Sequence, residues 1–136
     1  MHATLTSEDV ARKFVDRINA HDVAGLIALM TPNHTFVDSL GEKSIRPAIE
    51  KGWSQYFDMV PDYWIRIDRT FSDGDTAVLV GLAGGSYVME GGAWRPENKW
   101  DTPAVWIARI EGKRVAEWRI YSDNEPVRAK MKKSTP

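Results

Sequence analysis

The sequence predicts an α+β fold in which three N-terminal helices pack on one face of a strongly bent, mostly antiparallel sheet. Two observations carry this. Apolar residues recur at helical spacing up to Phe57 and run or alternate as strands from Tyr63 onward. The two textures are segregated along the chain, which argues against a doubly wound parallel sheet and its nucleotide crevice. A third observation concerns shape. Gly81, Gly84 and Gly85 fall inside one apolar run, and glycines there let a sheet bend into a cup.

Each element has its own signal. Thr6 or Ser7 can cap a helix over 7–20, with Glu8 and Asp9 in its first turn and Val10, Phe14, Val15 and Ile18 as its apolar stripe. Asp22 caps a short second helix whose stripe is Val23, Leu26, Ile27 and Met30, and "TPNH" ends it. A strand over 34–39 and the turn "LGEK" follow. Ile45, Ile49, Trp53, Tyr56 and Phe57 mark a third amphipathic helix that starts near Pro47. Four strands remain: "YWIRIDRTF", "TAVLVGLAGGSYVM", "TPAVWIARI" and "RVAEWRIYS". Asp73-Gly74 is expected to form a tight hairpin between the first two. The tail "MKKSTP" reads as solvated and mobile. The 136 residues are expected to form a single domain with an ordered core over about 7–128.

Composition narrows the function. A formal net charge of −1 gives no reason to expect nucleic acid or an anionic membrane as a partner. No apolar run approaches the roughly 20 residues that a membrane helix needs, and "MHATLTSEDVARKF" lacks the apolar middle of a signal peptide. A cytoplasmic protein is expected. The absence of cysteine excludes disulfides and thiolate chemistry. His2, His21 and His34 have no metal-binding spacing, so neither a metal nor a cofactor is expected. "GLAGG" lies within a strand and is not a phosphate loop.

Three stretches carry a resemblance: "FVDRINAHDVAGLIALMTPNHTFVDSLG", "GWSQYFDMVPDY" and "GKRVAEWRIYSDN". Together they are similar to the nuclear-transport-factor-2-like superfamily, which includes SnoaL-like polyketide cyclases and ketosteroid isomerase. The likeness spans about residues 7 to 125. It implies a cone-shaped half-barrel, a pocket for a small hydrophobic, polyketide-like or steroid-like molecule, and a homodimer. Residue by residue, Asp38 falls on the isomerase's general base. Phe14 and Ala104 fall where that enzyme has its oxyanion tyrosine and protonated aspartic acid. Losing even one oxyanion donor typically costs roughly 2.7–4 kcal/mol in the transition state, so a faithful ketosteroid isomerase is not expected.

The candidate residues follow. Asp38, between Phe36, Val37 and Leu40, is either a pocket carboxylate or an anchor for the "SLGEK" turn. Period two puts Val115, Glu117, Arg119, Tyr121 and Asp123 on one face of the last strand, and Ala116, Trp118, Ile120 and Ser122 on the other. The resemblance turns the first set toward the cup. The opposite orientation puts Trp118 and Ile120 in the core and leaves the charges solvated. In the first orientation Asp38 acts as base, Arg119 or Tyr121 balances developing charge, and Asp123 is the second acid–base group. Asp123 could equally cap the segment "NEPVRAKM". Phe14, Trp53, Tyr56, Trp64, Tyr87, Ala104, Trp106 and Glu117 are the expected pocket walls. Rings with a polar handle suit a flat, partly polar ligand. Three readings result: a cofactor-free isomerase, cyclase or dehydratase; a non-catalytic binding or dimerisation module; and hydrolysis by paired carboxylates.

Overall fold

The computed structural model describes residues 5–134; His2, Thr135 and Pro136 lie outside them. Its elements are α1 (Ser7–Asn19), α2 (Val23–Ala28), β1 (Met30–Val37), β2 (Lys43–Ile45), α3 (Arg46–Met59), β3 (Trp64–Asp73), β4 (Thr76–Ser86), β5 (Lys99–Glu111), β6 (Arg114–Ser122) and α4 (Glu125–Ser134). The six strands form one curved, unclosed sheet in the order β2-β1-β6-β5-β4-β3. Only β1 and β6 run parallel.

Local chemistry explains the helix starts. Thr6 closes a capping box with Asp9, each side chain accepting from the other's backbone N–H at 3.1 Å. Asp22 Oδ1 accepts from the Gly25 N–H at 2.9 Å and starts α2. Pro47 sits in the first turn of α3, where its missing N–H costs nothing. Asn19, at the end of α1, pairs with both backbone groups of Ile65 (3.0 and 2.8 Å) and so occupies the free edge of β3. The His21 ring is 2.7 Å from the Tyr63 carbonyl and stacks on Phe57 at 4.2 Å. These contacts fix α1 and α3 over the same face of the sheet. Val10, Ala11, Phe14, Val15 and Ile18 are buried against it.

Four boundaries differ from expectation. Met30 leaves the second helix and opens β1, where it pairs with Val115. The "TPNH" segment is therefore strand rather than helix end. Its Pro32 lies within a register shift between Met30 and Thr35, a place where a strand tolerates proline. Lys43 leaves the expected turn and Ile45 the expected helix stripe: Lys43–Ile45 is a short strand that pairs antiparallel with β1, with Ile45 exposed. The tail forms α4 up to Ser134, with Glu125 in its first turn and Lys132 and Lys133 in its last, complementing the helix dipole. Finally, the two-residue hairpin loop is Gly74-Asp75, one residue later than expected, because Asp73 pairs with Thr76. Gly74 supplies the positive φ of 61°.

The bend of the sheet has a visible cause. The β3–β4 ladder shifts register between Ile67 and Arg69, opposite Gly81 and Val80. A Cβ at Gly81 would collide with the Arg66 carbonyl. Glycine at this bulge lets the two backbones approach closely where the sheet curves.

Candidate functional site

The inner face of the sheet follows from the strand register. Ala104 pairs with Ser122, Trp106 with Ile120 and Ala108 with Trp118, and all of these point toward the helices. Val105, Ile107 and Arg109 pair with Tyr121, Arg119 and Glu117 on the outer face. The orientation that the resemblance suggested is therefore reversed over Glu117–Asp123. The cause is a register shift between Arg109 and Ile110, where Ile110 pairs with Val115 and Arg109 with Glu117. Ala116 is the extra residue. Val115 and Trp118 both face inward although two residues, Ala116 and Glu117, lie between them, and counting by twos from Val115 gives the wrong face.

A cavity of about 320 Å³ lies between α3 and the inner face of β1, β5 and β6. Its aromatic walls are Phe36, Trp53, Tyr56, Tyr63, Trp106 and Trp118. Helical spacing on α3 puts Ile49, Trp53 and Tyr56 on one side of it. Trp53 meets Phe36 edge-on at 6.0 Å, and Tyr56 meets Tyr63 edge-on at 4.9 Å. Burial pushes both phenols well above their ordinary range, so each stays a neutral hydroxyl across the physiological range. The rim is polar: Asp38, Ser39, Ser44, Ser122 and Asn124. Asn124 donates to Ser39 Oγ at 2.7 Å and ties the ends of β1 and β6 together there.

Asp38 holds a turn and also faces the cavity. Its Oδ1 accepts from the N–H groups of Leu40 (2.9 Å) and Glu42 (3.0 Å), anchoring the turn that carries Gly41 at φ 83°. The same residue lines the cavity. Its Oδ2 has no hydrogen bond or ion pair among the described residues. Asp38 is also the one carboxylate among the described residues lining the cavity.

The other expected site residues separate cleanly. Trp53, Tyr56 and Trp106 line the cavity. Phe14 is fully buried beneath it, 4.6 Å from the Trp118 ring, and Ala104 is buried on the inner face outside the lining. Trp64 covers Gly84 at the far end of the sheet. Tyr87 lies beyond β4 and is held by Asn98. Glu117 pairs with Arg119 at 3.6 Å on the outer face, and Arg119 reaches the Tyr121 hydroxyl at 3.4 Å. Asp123 accepts from the Glu125 N–H at 2.9 Å, the capping role. Glu117, Arg119, Tyr121 and Asp123 are thus removed from the cup, and with them the paired carboxylates that hydrolysis requires.

Tyr63, Trp118 and Phe36 are walls that sequence reasoning missed. Trp118 belonged to the set assigned to the other face, and Tyr63 sat at a strand boundary. His34 is buried beside Phe14, with Nδ1 2.6 Å from the Val115 carbonyl and Nε2 unpartnered. Desolvation holds its pKa below the ordinary value. Among the described residues, no three His, Asp or Glu side chains gather as a metal site, and no helix is long and apolar enough to cross a membrane.

The double role of Asp38 has a stability signature. Asp38→Ala removes the acceptor of two backbone N–H groups and should cost about 1–2 kcal/mol in a denaturant titration. Asp38→Asn keeps an acceptor oxygen and should cost less. Equal stability of Asp38→Ala and the parent would show that the turn does not depend on this side chain.

Known proteins place the chain in a family. Residues 11–118 match the SnoaL-like domain model. A protein from Shewanella denitrificans assigned as a SnoaL-like polyketide cyclase superposes with a TM-score of 0.80 at 16% identity, covering 94% of this chain and 98% of that one. IdmH of Streptomyces antibioticus, assigned as a polyketide cyclase, gives 0.77 at 17%, covering 94% and 99%. A Catenulispora acidiphila protein of ketosteroid isomerase-like fold, solved with trimethylamine, gives 0.78 at 18%, covering 96% and 100%. No curated protein matches significantly. At these identities the structures establish the fold, and the domain match over most of the sequence establishes the family: the chain belongs to the SnoaL-like domain family.

Proposed function

We propose that the chain binds a small, ring-bearing organic molecule in the aromatic cup. The observation that supports this is the cavity of about 320 Å³, walled by tryptophan and tyrosine rings and opening past a polar rim. That volume lies within the usual range for ligand pockets. It equals the liquid volume of roughly ten waters, suiting a ligand of about one or two rings. Two of the similar structures are assigned as polyketide cyclases, and a flat, oxygenated ring is in keeping with them. Isothermal titration with 2-naphthol tests the reading. Saturable binding is expected, weakened about tenfold by Trp53→Ala, the loss of about one aromatic contact. A titration with no saturable heat would contradict it.

A second reading makes the chain a cofactor-free isomerase, cyclase or dehydratase, with Asp38 as base. The unpartnered Oδ2 favours it, since Oδ1 is already engaged by the turn. Tyr56 and Tyr63, neutral and at the same cavity, would donate to a developing enolate in place of the donors missing at Phe14 and Ala104. Incubation with 2-tetralone in deuterated water should then give deuterium at the carbon next to the carbonyl above the buffer rate. The excess should vanish in Asp38→Asn. An excess that survives this substitution would remove Asp38 as the base.

We also propose that a second copy covers the outer sheet face. Phe71, Val78 and Ile107 form one row across β3, β4 and β5, beside a row of Val80, Val105 and Tyr121. Phe71 and Tyr121 are about half exposed, at 50% and 48%. Contiguous apolar patches of this kind mark interaction surfaces. Light scattering at tens of micromolar should show a dimer and Ile107→Glu a monomer; a monomeric parent would contradict the proposal.

A further inference from the structure

The electrostatics of the cup favour ligands of one charge sign. Among the described residues lining the cavity there is no lysine, arginine or histidine, and one carboxylate. Asp38 has no ion-pair partner among the described residues, and its Oδ2 accepts no hydrogen bond from them. Six of the other lining residues are aromatic, and ring faces carry the negative end of the aromatic quadrupole. The two phenols stay protonated and add no charge of their own. An anionic ligand would therefore set its charge against a carboxylate and several π faces with no cation to receive it. A neutral ligand would leave Oδ2 without a counter-charge as the cup loses water. A cation satisfies both the carboxylate and the rings.

We propose that the cup selects organic ammonium ligands, the alkylated nitrogen lying between the partly exposed rings of Phe36, Trp53 and Tyr56 and the Oδ2 of Asp38. The cation–π attraction is strongest over tryptophan and grows as the site is desolvated. Partial burial supplies that desolvation here: Phe36, Trp53 and Tyr56 are each half-buried where they line the cavity. In this role Asp38 is a counter-ion. The serine and asparagine groups of the rim take any hydroxyl or carbonyl on the remainder of the ligand. The proposal deepens the ligand-binding reading above and rests on it.

The test compares phenyltrimethylammonium with its uncharged isostere tert-butylbenzene, each titrated as a competitor of 2-naphthol on the full chain. The cation is expected to bind about tenfold tighter or more at low salt. That preference should shrink as salt screens the partly exposed carboxylate, and should fall to about twofold or less in Asp38→Asn, which retains the turn acceptor. Equal displacement of 2-naphthol by both compounds would overturn the charge preference while leaving the pocket reading intact. A cation preference undiminished in Asp38→Asn would overturn the role given to Asp38. Displacement by neither compound would overturn the proposal, and failure of 2-naphthol itself to bind would overturn the pocket reading with it.

Discussion

The slip of one residue between β5 and β6 decides what this molecule presents on each face of its sheet. At Arg109 and Ile110 the ladder takes in Ala116 as an extra residue. Every side chain from Glu117 onward is thereby shifted by one position relative to Val115. Trp118, Ile120 and Ser122 turn toward the helices, and Glu117, Arg119 and Tyr121 turn away. The inner face gains an indole that floors the cavity and packs on Phe14. The outer face gains an ion pair that satisfies itself beside an apolar patch. Without the slip, Glu117 and Arg119 would be buried against Phe14 and Trp53, at a desolvation cost that a lone pair rarely recovers.

The cavity depends on this phase and on one turn. Its aromatic walls come from four separate parts of the chain: Phe36 on β1, Trp53 and Tyr56 on α3, Tyr63 just before β3, and Trp106 and Trp118 on the central strands. Its rim is organised by Asp38, whose Oδ1 collects two N–H groups, and by Asn124, which bridges to Ser39. The rim side chains are therefore oriented by backbone geometry before any ligand arrives. That pre-organisation reduces the ordering cost of binding. It also limits the chemistry, because only one oxygen of the one carboxylate is left over.

Much of the fold was legible because its signals are local. The Thr6–Asp9 box, the Asp22 cap, Pro47 in the first turn of α3 and the glycine in the β3–β4 hairpin each act within a few residues. Trp53, Tyr56 and Trp106 were legible as walls because α3 is regular and β5 keeps period two through Trp106. What failed to show depended on pairing. A bulge has no sequence mark beyond an alanine, so the resemblance put the face of β6 one residue out of phase, and the opposite orientation, with Trp118 and Ile120 inward, is the one that the register gives. Phe14 was misplaced as a wall because Trp118 intervenes between it and the cavity. Asp123 was open to both readings, an acid–base group or a cap, and its carboxylate accepts from the Glu125 N–H that opens α4. The family resemblance put Asp38 at the floor of the cup; the side chain lies instead among the polar residues of the rim, where it also holds its own turn.

The proposed ligand lies against the inner face of β5 and β6 rather than on the outer sheet. Fluorine NMR of protein labelled with 5-fluorotryptophan tests it residue by residue, with assignments from single Trp→Phe variants. On addition of 2-naphthol, the resonances of Trp53, Trp106 and Trp118 should move together with a common saturation point, and those of Trp64 and Trp94 should stay in place. Movement of Trp64 and Trp94 with the three inner resonances unchanged would contradict the account.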